Sequence, residues 1–139
     1  MKVYLDTSVL LRIVFGEKEA LRNWATIDAA MASELVRVEA LRTIDGARLR
    51  ESLSDDDVAE RRADVLEVLT GCHLVPIDAT VLERSSEPFP TALGTLDAIH
   101  LSTALLIRGE HQDLAFATHD RALATAARAV GFRVVGAPA

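Results

Sequence analysis

Val3-Tyr4-Leu5-Asp6-Thr7-Ser8-Val9-Leu10-Leu11 is the stretch that decides the fold. Three apolar β-formers are halted by a carboxylate and two hydroxyls, residue types that suit a helix N-terminus, and an apolar run follows at once. The pattern predicts a short buried strand feeding a helix, with Asp6 at the strand's carboxyl end. In open α/β sheets that edge is where ligands bind. The other acids of the chain therefore matter according to whether they reach the same edge.

The motif recurs near the other end. Leu114-Ala115-Phe116-Ala117 reads as a buried strand broken by Thr118-His119-Asp120 before an Ala-rich helix to Ala129, with Gly131 closing it and Phe132 to Val135 as a last strand. Between the two, strand and helix signals alternate. The first helix, from Ser8 to Phe15, stops at Gly16, and a second is expected from Glu17 to Asp28 with Ala20, Leu21 and Trp24 on its buried face. Ala29 to Ala32 is a short strand. Ser33 is expected to cap a helix carrying Leu35, Val36, Val38, Glu39, Ala40, Leu41 and Arg42, which Gly46 kinks or ends near Leu49. Ser54 and Asp57 resemble a capping box opening a charged helix to Leu69. His73 to Ile77 is a strand that Pro76 marks as an edge or an end. Asp78 caps a short helix to Ser85, residues 85–95 form a loop rich in Pro and Gly, and Asp97 to Arg108 is the most regular helix. This alternation predicts one three-layer α/β/α domain over residues 1–139, Rossmann-like, with a mainly parallel central sheet.

Composition narrows the function. At 139 residues the chain can bury roughly two-thirds of its unfolded surface, so no metal or disulfide is needed merely to fold. The single cysteine, Cys72, has no internal partner, and with Asp6 and Arg12 interrupting any leader-like run the chain reads as a cytoplasmic protein. Leu101 to Ile107 is too short to span a bilayer. A net charge of −6 argues against a general polyanion binder, yet all but two of the fifteen cationic residues are Arg, whose planar fork suits phosphate. Any nucleic-acid contact must be local, through residues such as Arg12, Arg37 and Arg42 or through a metal ion.

Asp6 and Asp120 stand at the ends of two strands on one sheet edge. Asp97 lies in the first turn of a helix returning from that region, and Glu39 interrupts an otherwise apolar helix. Two carboxylates about 5 Å apart repel by roughly 3 kcal/mol at an effective dielectric of about 20. Four such acids need either protons or a cation between them. Oxygen donors without clustered His or Cys favour magnesium or manganese over zinc, and such ions orient phosphates and activate water. Phosphodiester hydrolysis is the chemistry this set points to.

Leu5-Asp6-Thr7-Ser8, Ser33 through Glu39, Leu96-Asp97-Ala98-Ile99-His100 and Thr118-His119-Asp120-Arg121, in this order and spacing, resemble the PIN-domain ribonucleases, and specifically the VapC toxins of bacterial toxin–antitoxin pairs. The resemblance runs through essentially the whole chain. It implies an Mg2+- or Mn2+-dependent endoribonuclease with Asp6, Glu39, Asp97 and Asp120 as the acidic quartet. Asp6 and Asp97 would be direct metal ligands, Asp120 a third ligand or one acting through water, and Glu39 the acid that orients water or a second metal. Thr7 or Ser8 and Thr118 match supporting hydroxyls, and the family implies a homodimer held inactive by a VapB-type antitoxin.

Each acid alone has a plainer explanation. Asp6 could merely cap a helix, Asp97 could be a first-turn acid favoured by the helix dipole, Asp120 could be a turn residue, and Glu39 could pair with Arg42 or Arg12. His100, one turn after Asp97, could approach the same pocket or be a hydrogen-bonded core histidine. The competing function is a non-catalytic regulatory subunit of the same fold whose acids only dock an antitoxin's Arg.

Overall fold

The computed structural model describes residues 1–16 and 24–138. Five parallel strands make one sheet: β1 (Lys2–Leu5), β2 (Ala29–Ser33), β3 (Cys72–Val75), β4 (Ala115–Ala117) and β5 (Val134–Val135), in the spatial order β3-β2-β1-β4-β5. The order reverses at β1, so the crevice between the carboxyl ends of β1 and β4 is the topological switch point. Tyr4 pairs with Phe116 and Leu5 with Ala117 across it.

Among the described residues, six helices follow from local signals. They are α1 (Thr7–Val14), α2 (Leu35–Glu51), α3 (Asp55–Thr70), α4 (Ala79–Ser85), α5 (Thr95–Ile107) and α6 (Arg121–Ala129). Side chains at strand period two sort the core into two clusters. Val3 and Leu5 join Val9, Leu10, Val36, Ile44 and Val65 on the face covered by α1, α2 and α3, while Tyr4 turns to the other face with Phe116, Leu101 and Leu123 of α5 and α6. All of these are fully buried. The three layers are thus the direct result of alternating apolar side chains in β1. No helix among the described residues is long and apolar enough to cross a membrane.

Several boundaries differ from expectation. Most of the helix expected from Glu17 to Asp28 lies outside the described residues; its described end, Trp24–Thr26, is a short 3-10 turn, and the Asp28 N–H already bonds the Met1 carbonyl at 2.9 Å. Gly46 does not end α2, which runs on to Glu51 and stops where Ser52 adopts φ +51°. A methyl group at Gly46 would stand 2.9 Å from the Arg50 guanidinium, so the glycine makes room for an arginine folded back along the helix. β3 starts one residue early, where Cys72 pairs with Ala30, and ends early at Val75 because Pro76 has no N–H for the sheet. β5 is likewise shorter.

The Ser54 hydroxyl accepts from the Asp57 N–H at 3.1 Å, and Asp55, Asp56 and Asp57 fill the first turn of α3, where the helix dipole favours negative charge. Ser54→Ala is expected to lower stability by about 1 kcal/mol, read as a reduced denaturant midpoint with unchanged slope.

Candidate active site

Asp6 ends β1 and caps α1. It is almost fully buried, yet both carboxylate oxygens are satisfied. Oδ1 accepts from the Ser8 hydroxyl at 2.6 Å and the Val9 N–H at 3.3 Å, and Oδ2 accepts from the Thr118 hydroxyl at 2.6 Å. Those hydroxyls are themselves held from the β4 side: the His119 N–H donates to Ser8 Oγ at 2.9 Å and the Asp120 N–H to Thr118 Oγ1 at 3.0 Å. The two strand ends are stitched together through Asp6. Burial pushes the Asp6 carboxyl above its ordinary range, and the two hydroxyls oppose that shift.

Glu39 projects from α2 to the same edge. Its Oε1 receives the Thr7 hydroxyl at 2.7 Å and meets His100 Nε2 at 2.5 Å. Half-burial disfavours its charge, but the bonds from His100 and Thr7 outweigh that and hold its carboxyl below the usual value. Arg42, the salt-bridge partner offered by sequence, lies 3.6 Å from Asp45 instead. His100 is buried on α5, and its other ring nitrogen lies 2.8 Å from the Tyr4 hydroxyl.

Asp97 occupies the first turn of α5, whose N-cap is Gly94. Its carboxyl is raised, first by partial burial and then by the charge of Asp120, with smaller contributions of the same sign from Asp6 and Glu39. The four acids therefore share one electrostatic environment. Asp120 caps α6 through a 2.8 Å bond from the Leu123 N–H to its Oδ1 and is otherwise exposed. For Asp6 and Asp120 the capping role and a place among the acids coexist.

A carboxylate-only donor set suits a hard divalent cation, and the mutual repulsion felt at Asp97 is what such a charge relieves. Among the described residues no group of three His, Cys, Asp or Glu side chains is close enough to hold a metal as the side chains stand. The residues fit the ion by chemistry and charge, with Asp6 turned toward its hydroxyls.

Sequence reading missed the part Tyr4 plays, and it expected Ser33 to be the N-cap of α2, whereas that position is Glu34 and Ser33 Oγ accepts from the Leu35 N–H at 3.1 Å. Tyr4 looked like one more apolar strand residue, although a buried phenol always needs a partner for its hydroxyl. Here it contacts His100, and the Ser33 N–H donates to it at 3.3 Å. Gly136 is the other omission. It has φ +92°, and a methyl group there would stand 2.9 Å from the Thr118 carbonyl and 3.3 Å from the His119 ring. Gly136→Ala is expected to cost about 1–3 kcal/mol in unfolding measurements, because it adds left-handed strain to a backbone clash beside Thr118.

Comparison with known proteins agrees with this architecture. The family model for the PIN domain matches residues 3–129. Ribonuclease VapC47 of Mycobacterium tuberculosis is 34% identical over 137 residues, which is 94% of this chain and 93% of that protein. Among solved structures, VapBC2 from Rickettsia felis bound to a promoter DNA fragment gives a TM-score of 0.66 at 12% identity, covering 96% of this chain and 97% of that one. Mycobacterium tuberculosis VapC20, a toxin cleaving the sarcin–ricin loop, gives 0.62 at 18% identity, covering 94% and 95%. Fold, length and sequence agree that the chain belongs to the PIN domain family.

Proposed function

We propose that this protein is a metal-dependent endoribonuclease that hydrolyses RNA phosphodiester bonds as the toxin of a toxin–antitoxin pair. What supports the reading is the placement of Asp6 and Asp120 at neighbouring strand ends, Glu39 on α2 and Asp97 in the first turn of α5, with the charges of Asp120, Asp6 and Glu39 all raising the Asp97 carboxyl. The relative at 34% identity is a ribonuclease by name, and the fold is that of VapC toxins solved with and without their partners. A VapB-type antitoxin is the partner this kinship supports.

Asp6, Asp97 and Asp120 would hold the ion, magnesium or manganese by donor chemistry. Such an ion orients a phosphate and makes its bound water more acidic. Glu39, kept ionised by Thr7 and His100, would be the acid that orients the attacking water. Ser8 and Thr118 hold Asp6 in place.

The test is cleavage of a defined pool of structured RNAs by purified protein with magnesium or manganese. Products that vanish with EDTA and return on adding the ion back support the reading, and the ends of the products locate the cut. Folded, antitoxin-free protein that cleaves nothing would instead favour a docking subunit.

A further inference from the structure

The buried row behind Glu39 does more than fill the core. The Ser33 N–H donates to Tyr4 Oη at 3.3 Å, Tyr4 Oη lies 2.8 Å from His100 Nδ1, and His100 Nε2 lies 2.5 Å from Glu39 Oε1. Tyr4 and His100 are almost wholly shielded from water, and their rings meet edge to face with centroids 6.1 Å apart. The row crosses from the end of β2 through β1 and α5 to α2. It connects the apolar side of the sheet to one oxygen of one acid.

The proton arrangement is constrained. An ionised Glu39 only accepts, so Nε2 must carry the hydrogen in their contact. Nδ1 then either accepts from the Tyr4 hydroxyl, in a neutral ring, or donates to it, in a charged one. In the second case the Tyr4 proton turns away from the ring. Both arrangements leave the Nε2 proton on Glu39. Thr7 donates to the same Oε1, so among the described residues Oε2 is the oxygen without a protein donor.

We propose that His100 is a positioning residue: anchored by Tyr4 and Ser33, it fixes Glu39 by Oε1 so that Oε2 is presented to the reacting groups. The inference rests on the ribonuclease reading and extends it to residues that touch neither ion nor RNA. It assigns the Tyr4 hydroxyl, in the middle of an apolar strand, a function in the chemistry.

Two substitutions separate orientation from packing. The amide nitrogen of His100→Gln reaches the place of Nε2, whereas His100→Asn matches Nδ1 and leaves Glu39 without its donor. The expected result is a kcat reduced about 10- to 100-fold in His100→Asn with KM unchanged, largely recovered in His100→Gln. Tyr4→Phe, which removes one oxygen from the core, should lower kcat in the same way if the buried asparagine does not fold. Independently of activity, long-range proton–nitrogen NMR on histidine-labelled protein should show a proton on His100 Nε2, and that proton should lose its fixed environment in Glu39→Ala. A bare Nε2, equal kcat in the Asn and Gln variants, or a loss confined to KM would overturn the proposal while leaving the ribonuclease reading intact. A wild-type protein that cleaves no RNA would end both.

Discussion

Asp97→Asn is expected to reduce RNA cleavage by about a hundredfold or more, the loss found when a preorganised charge is taken from a reacting centre. The substitution keeps size and shape, and the N-cap of α5 is Gly94 rather than Asp97. Its effect on the fold should therefore run opposite to its effect on activity. In the folded chain the carboxyl is raised by partial burial and by Asp120, Asp6 and Glu39. A raised acid favours its protonated form in the native state. Its ionisation leaves stability untouched below the unfolded value, lowers it as pH rises through that value toward the folded one, and lowers it fully above. Asn removes this penalty, so Asp97→Asn without metal should match the wild type in acid and be the more stable protein near neutrality. Adding magnesium or manganese should reverse the order. A ligand at a hundred times its dissociation constant stabilises the protein it binds by about 2.7 kcal/mol, and only the wild type has the full set of acids. Thermal unfolding across pH, with and without the ion, checks both halves. A variant that is less stable at neutral pH in EDTA would mean that the four acids do not repel one another.

Phe116→Ala should cost about 3–5 kcal/mol, a large part of the roughly 5–15 kcal/mol that holds a domain together. Phe116 is fully buried on β4, between β1 and β5, stacked on Tyr4 with centroids 5.2 Å apart and tilted against Phe132 at 5.6 Å. The methyl left behind cannot be covered by collapse, because Tyr4 is tied at its hydroxyl and Phe132 is held under Arg108 at 4.5 Å. Denaturant unfolding gives the magnitude. The damage should also reach the site, since the ring that anchors His100 loses its stacking partner. Phe116→Leu, which keeps most of the volume, should retain most of both stability and activity.

The sheet was legible because β1 and β4 are written in the plainest terms a sequence has: apolar runs too short for helices, each ended by hydroxyl and acid. From Leu5-Asp6-Thr7 and Ala117-Thr118-His119-Asp120 the shared edge follows by topology alone. Glu39 was noticed because a charge among Val36, Val38 and Ala40 has to be explained by something outside its own helix. Its partners were less visible. Thr7 and His100 lie 32 and 61 residues away in sequence, and no spacing rule relates them to it. Tyr4 was hidden by its neighbours, since a tyrosine in a β-rich run is usual and only its complete burial shows that the hydroxyl needs a partner. Gly46 misled for a related reason. A helix interior tolerates glycine at a modest cost when a long side chain such as Arg50 occupies the space.

The clamp on Asp6 also sets a timetable. Its carboxylate depends on Ser8, two residues away, and on Thr118, 112 residues away. At roughly 5–20 residues per second a ribosome takes about 6–22 seconds to travel from the first to the last. Throughout that interval the nascent chain carries Asp6 without the strand that receives it, and neither β4 nor the Asp120 turn yet exists. A carboxylate cage that needs a hydroxyl from the chain's last quarter is incomplete until then. Any product released short of Thr118, through a premature stop or a stalled ribosome, should be harmless to the RNA around it.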